Sequence, residues 1–185
     1  MGKLKLKLTI FGTILLTWGC NSGDPDPIIT PGPENEIQGE WLWPCYDISV
    51  QNQTASYELD EIYDGGTYTG TYYVYASSDC TGTTYQATNT ATGTYTLGAD
   101  FESDNVPSLI ATEIDLDLTT VATSGDSTFL NLVDSHIIWG LGGQFYDIFY
   151  VEQTQLYWSD FNTGGGTTPA TRATEINLLD YAILL

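Results

Sequence analysis

The chain has 185 residues, of which 24 are Asp or Glu and only four are Lys or Arg. Three of the basic residues, Lys3, Lys5 and Lys7, lie near the start, so beyond residue 20 the acids face Arg172 alone. A protein surface with this excess of negative charge repels the phosphate backbones of nucleic acids, and we therefore expect no nucleic-acid partner. The single histidine excludes a His-rich zinc site.

The first twenty residues have the pattern of a secretory signal. The three lysines precede a mostly apolar run over 8–18, which is too short for a transmembrane helix of roughly 20 residues. Gly19-Cys20 follows, and it resembles the lipobox at which bacterial lipoproteins are cleaved. The resemblance implies export, a lipid such as palmitate on Cys20, and a membrane as partner. Asn21 after the cysteine implies the outer membrane, facing the periplasm or the cell surface.

The next segment, residues 21–37, is rich in Pro and Asp and shows no periodicity, which is typical of a semi-extended tether. We expect one folded domain over 38–185. With Cys20 assigned to lipid, Cys45 and Cys80 remain as a disulfide candidate in an oxidising compartment, closing a loop of about 35 residues. The alternative is two buried free thiols.

The rest of the chain alternates short strand-like stretches with turn residues, and no stretch of twelve residues has a convincing helical period. We predict a turn near Asn89 and a polar loop over 98–108. The tail, 180–185, is either a final strand or a short helix. The predicted strands cover 39–45, 56–63, 67–77, 85–90, 92–97, 110–118, 128–133, 136–141, 144–151, 155–159 and 174–179.

This pattern predicts an all-β protein. We favour an antiparallel, lipocalin-like up-and-down β-barrel of about eight to ten strands, because sequential hairpins suit a barrel and closure removes exposed edges. A β-sandwich is the alternative.

Several motifs are similar to those of a group of bacterial exported proteins and lipoproteins. The group shares a G-x-W…C start, a Tyr-rich hairpin that ends in a second Cys, an I-D-L strand, and a late series with one Arg. The resemblance implies a lipocalin-like antiparallel fold and no known activity. In this sequence the motifs are Gly39, Trp41 and Cys45; residues 72–80; Ile114, Asp115 and Leu116; and residues 146–178 with Arg172.

Six acids are candidate calcium ligands, and we expect no other cofactor. Glu113, Asp115 and Asp117 share one face of a predicted strand about 7 Å apart, with no protein cation expected to relieve their repulsion. Asp100, Glu102 and Asp104 place oxygens in the predicted polar loop, and Ca²⁺ prefers six to eight oxygens. We favour solvated surface acids, and calcium binding is the alternative.

The aromatic residues are the candidates for ligand binding. Inside a barrel they would line a pocket for a small apolar ligand, and outside they would stack on a glycan or a surface protein. Packing of the core is the alternative. The residues are Trp41, Trp43, Tyr72, Trp139 and Trp158.

We find no catalytic motif, since no G-x-S-x-G elbow exists and close carboxylate pairs arise easily among 24 acids. We therefore expect a noncatalytic, membrane-anchored binding or surface-interaction module. One alternative is a calcium-stabilised structural or adhesion protein at the surface. Another is a carbohydrate-active enzyme, which requires two carboxyls flanking a groove.

Overall fold

A computed structural model describes residues 36–50, 53–82, 84–134, 143–159 and 166–185. Several predicted features lie outside these ranges. They are the signal peptide with Cys20, the tether except for its last two residues, and the strand over 136–141 with Trp139. Within the described ranges, no helix has the length and apolar character required to span a membrane.

The described strands form one antiparallel sheet, in which consecutive strands from the third to the ninth pair with each other. The first strand pairs with both the third and the last, so the sheet closes into an eight-stranded barrel, as predicted. The short second strand adds to the edge of the third. The strands are β1 (Gly39–Leu42), β2 (Tyr46–Asp47), β3 (Ser56–Asp64), β4 (Thr67–Tyr75), β5 (Ala87–Glu102), β6 (Ile110–Gly125), β7 (Gly143–Glu152), β8 (Gln155–Trp158) and β9 (Ala182–Leu184).

The period of two along each strand separates an inner from an outer face. On β3, Tyr57, Leu59, Glu61 and Tyr63 share the inner side, and the main core contains the largest fully buried side chains of the described residues. A second, smaller cluster forms where the C-terminal segment covers the outer face of β6, β7 and β8. Its buried members are Ala111, Ile148, Tyr157, Ala173 and Ile176.

The fifth strand corrects two predictions. We expected a turn at Asn89, but one continuous strand runs through it, and Asn89 points inward with 2% exposure. Both neighbouring strands pair with this residue, through Tyr72 and Thr123. The predicted loop over 98–108 is also wrong in its first half, because β5 continues to Glu102 through pairing with β6. Long cross-strand pairing overrides the local turn preference of Asn and Gly.

The segment predicted as a strand over 128–133 is instead a helix, α1 (Ser127–Asp134). The Asp126 carboxylate accepts the backbone N–H of Thr128 at 2.8 Å, which caps the helix start. Phe129 and Leu130 pack against the barrel core. Eight residues are too few to show a helical period, so the sequence pattern missed it.

The C-terminal region has its strand later in the chain than we predicted. The predicted strand over 174–179 reduces to one isolated bridge between Ile176 and Ser159. The tail supplies β9, the strand that pairs with both β1 and β8 and thereby closes the barrel. Barrel closure therefore depends on the last residues of the chain.

The disulfide between Cys45 and Cys80 is present, as predicted, with the two Cα atoms 5.9 Å apart. Cys45 lies between β1 and β2, and Cys80 follows β4. The bridge therefore joins the two flanks of the β3–β4 hairpin.

Candidate functional site

A buried carboxylate lies inside the barrel. Glu61 is 4% exposed. Its Oε2 accepts the indole N–H of Trp43 at 2.7 Å and that of Trp158 at 3.2 Å. Its Oε1 accepts the hydroxyls of Tyr68 at 2.8 Å and of Tyr63 at 3.3 Å. Each carboxylate oxygen therefore has two neutral donors.

The surroundings of Glu61 change the pKa values of the whole group. Burial raises the pKa of Glu61, and the four hydrogen bonds oppose this rise because they favour the anion. Burial and then the Glu61 charge raise the pKa values of Tyr63 and Tyr68. Both tyrosines thus remain protonated donors over the physiological range.

A second buried acid, Asp147, faces the interior from β7 and is 8% exposed. Burial raises its pKa to about 6. The Ser159 hydroxyl, the backbone N–H of Ile148 at 2.8 Å and the charge of Arg172 all favour the anion, while the charge of Glu61 opposes it. The Ser159 hydroxyl is near the carboxylate but makes no well-formed hydrogen bond. The charge of Glu61 thus adds to burial in raising the pKa of Asp147.

The predicted ligand-binding aromatics within the described residues are core residues. Trp41 donates its indole N–H to the carbonyl of Ile37 at 2.8 Å, and Ile37 is itself fully buried. Trp43 and Trp158 hold Glu61. Four of the five candidates pack in the main core, namely Trp41, Trp43, Tyr72 and Trp158, and Trp139 lies outside the described ranges.

The predicted row of acids on β6 has a protein cation, which corrects the expectation that none would relieve their repulsion. The Arg172 Nη2 lies 2.6 Å from Asp115 Oδ1, and its Nε lies 3.5 Å from Glu113 Oε1. Its Nη1 also donates to the carbonyls of Ile114 and Asp147. Arg172 therefore fastens the C-terminal segment to β6 and β7.

The other predicted calcium ligands are spread along the end of β5 and the loop after it. Asp100 accepts the Thr112 hydroxyl at 2.7 Å, and Glu102 accepts the backbone N–H of Ser108 at 2.7 Å. Asp104 is exposed in the loop. In the part of the chain that the structure describes, no three His, Cys, Asp or Glu residues are grouped so as to hold a metal ion.

A groove of about 200 Å³ lies on the outer face of β5, β6 and β7. The backbone around Tyr95 and Leu116 forms its floor, since both of these side chains point into the barrel. Two rows of paired residues, about 7 Å apart, form its sides. One row is Thr94, Asp117 and Gln144, and the other is Thr96, Asp115 and Tyr146.

The polar groups of this groove are mostly acceptors. Tyr146 donates its hydroxyl to Gln144 Oε1 at 2.9 Å, and the Arg172 guanidinium lies 5.4 Å from the Tyr146 ring centre. Arg172 is therefore held beside the groove by its contact with the Tyr146 ring and by its ion pair with Asp115. The arrangement suits a ligand that donates hydrogen bonds and carries no negative charge.

Sequence reasoning identified part of these two sites. It named Asp115 and Asp117 but missed Glu61 and Asp147. The signal for both was an acid at an inward position of an alternating strand, as in Tyr57-x-Leu59-x-Glu61-x-Tyr63. The groove residues on β5 and β7 could not be found in this way, because their proximity depends on the register of three strands.

No protein-family model matches this chain. A search of curated proteins finds no matching sequence.

Proposed function

We propose that the chain is a noncatalytic, membrane-anchored binding module whose ligand site is the outer groove of β5, β6 and β7. The groove supports the ligand-binding part of this proposal, because polar side chains of three neighbouring strands line it. The anchoring half rests on residues 1–20, whose pattern supports export and a lipid on Cys20.

The ligand class follows from the chemistry of the groove. The Asp117 carboxylate and the hydroxyls of Thr94 and Thr96 can accept hydrogen bonds from a ligand. Asp115 and the amide oxygen of Gln144 already accept from Arg172 and from Tyr146. The acidic surroundings disfavour anions. The volume is below the roughly 300–1,000 Å³ of a drug-sized apolar site. A sugar unit, with its many hydroxyl donors and no charge, meets all three conditions.

A carbohydrate-active enzyme is the second candidate, and one observation favours it. Asp115 and Asp117 both line the groove from β6, where residues two apart have Cα atoms about 7 Å apart, and an inverting glycosidase needs carboxyl groups roughly 6.5–9.5 Å apart. A general acid must keep its proton near neutral pH, which proteins achieve by burial. The buried acids of this barrel, Glu61 and Asp147, point to the opposite side of the sheet, so we favour binding without turnover.

The binding test is titration with neutral monosaccharides, followed by NMR shifts and calorimetry at fixed ionic strength. We expect Asp117→Ala and Gln144→Ala to weaken binding about tenfold, from the loss of one or two hydrogen bonds each. Asp64→Ala removes an exposed acid from the β3–β4 turn and serves as the matched control. Equal affinity in all variants would remove the groove as the site, and release of reducing sugar would establish the enzyme instead.

Calcium is tested in the same preparations by thermal melts with CaCl₂, MgCl₂ and NaCl. We expect the three salts to raise Tm in step with ionic strength, because they screen the acidic surface. A saturable rise with Ca²⁺ alone would support the calcium-stabilised surface protein.

The anchor is tested by expressing the full chain and its Cys20→Ala variant with labelled palmitate. We expect label and membrane association in the parent chain and neither in the variant. Membrane association of the unlabelled variant would contradict lipid anchoring through Cys20.

A further inference from the structure

The acids of this chain leave one panel of the barrel uncharged. None of the 24 acids lies within residues 65–78, 80–99 or 118–125. These segments build β4, most of β5 and the second half of β6, which are consecutive strands of the sheet. The barrel therefore has a neutral panel next to the groove, on a protein whose sequence is otherwise strongly acidic.

The outer face of this panel presents hydroxyl groups in register. Thr69, Thr92 and Thr120 lie side by side across the three strands. In the next row the hydroxyls of Thr71 and Thr90 are 3.2 Å apart. Neighbouring rows are separated by about 7 Å along the strands. We call six outward threonines of these strands the hydroxyl face, namely Thr69, Thr71, Thr88, Thr90, Thr92 and Thr120.

The hydroxyl face connects two features that suit sugar binding. At one end β5 continues into the groove through Thr94 and Thr96. At the other end Thr88 lies opposite Tyr73, whose ring is 5.2 Å from the ring of Tyr85. Tyr85 is 49% exposed. The eight steps from Thr88 to Thr96 along the strand span about 27 Å.

We propose that the groove and the hydroxyl face together bind an extended, uncharged polysaccharide that runs along β5. This rests on the proposed function, because it uses the groove as one subsite of a longer site. An aromatic ring offers a sugar an apolar face, while threonine hydroxyls can donate to and accept from its hydroxyls. An uncharged chain suits an uncharged panel, whereas a polyanionic chain would have to pass the acids that border it.

The test is the affinity for neutral glucan oligosaccharides of one to six units. We expect the dissociation constant to fall with each added unit until the face is covered. Thr90→Val with Thr92→Val keeps the shape of the face and removes two hydroxyls. This double variant should lose about tenfold for the hexamer and nothing for the monomer. Tyr85→Ala should also weaken only the longer chains. Thr154→Val, on the exposed turn between β7 and β8, is the control.

The outcomes separate the two proposals. Affinity that does not change with chain length, but falls about tenfold in Gln144→Ala, would keep the groove and overturn the extended site. The extended site would also be overturned if affinity rose with chain length but was unchanged by Thr90→Val with Thr92→Val and by Tyr85→Ala. Failure of all neutral saccharides would overturn both proposals. Equal affinity for a polyuronate of the same length would contradict the charge argument.

Discussion

Replacing Glu61 by an apolar residue of similar size should destabilise this protein far more than replacing it by Gln. In Glu61→Leu the indole N–H groups of Trp43 and Trp158 lose their acceptor and cannot turn into acceptors themselves. An orphaned buried donor costs about 1–3 kcal/mol, so these two alone cost about 2–6 kcal/mol. The stability of a whole domain is about 5–15 kcal/mol.

Glu61→Gln keeps most of the network. The amide oxygen can accept both indole N–H groups, while the amide nitrogen donates to the hydroxyl oxygens of Tyr63 and Tyr68, which can reorient. The substitution also removes a buried charge. We expect a loss of about 1 kcal/mol, which leaves a gap of about 3 kcal/mol between the two variants.

The assay is denaturant unfolding followed by tryptophan fluorescence at pH 7, with slopes compared to verify that the same surface unfolds. Glu58→Leu and Glu58→Gln provide the control pair on the opposite face of β3, where the gap should stay below about 1 kcal/mol. If Glu61→Leu does not fold, Trp158→Phe tests the same network by removing one donor. Equal stabilities for Glu61→Leu and Glu61→Gln would refute the reasoning.

Three further predictions concern the interior acid, the disulfide and the arginine. The folded-state pKa of Asp147, about 6, lies above the ordinary value of 3.8 for an exposed Asp, so the folded protein binds more protons between these pH values. Its contribution to stability is therefore present in acid and is lost as pH rises through 6, which amounts to about 3 kcal/mol. Asp147→Asn should accordingly be more stable than the parent at pH 7.5, and denaturation should show this advantage vanish near pH 4; a constant gap would contradict it. Cys45→Ser with Cys80→Ser opens a loop with a sequence separation of 35 and should lower the unfolding free energy by about 4 kcal/mol, a value that unchanged denaturation midpoints would exclude. Arg172→Met should speed hydrogen exchange in residues 166–181 while the barrel strands stay protected, and equal acceleration throughout would show that Arg172 supports the whole fold.

Sequence reasoning succeeded where a local pattern has one structural meaning. The strand-like stretches over 56–63 and 67–77 predicted two strands, and the structure joins them as the β3–β4 hairpin, in which Asp64 pairs with Thr67. It failed where tertiary pairing overrides local preference, as at Asn89. It also failed at α1, which is too short for its period to be read and lies against the barrel core through Phe129 and Leu130.

The sequence by itself determined the all-β class and the excess of acids over a single late cation, and it predicted the pairing of Cys45 with Cys80 that the structure shows. These follow from period, composition and cysteine count, which need no knowledge of which strands are neighbours. The tertiary structure alone decided that Glu61 meets Trp158, which is 97 residues away, and that Arg172 relieves the acids of β6. It also formed the groove from three strands. An alternating strand specifies which face a side chain occupies, but only closure and register of the barrel specify what lies opposite it.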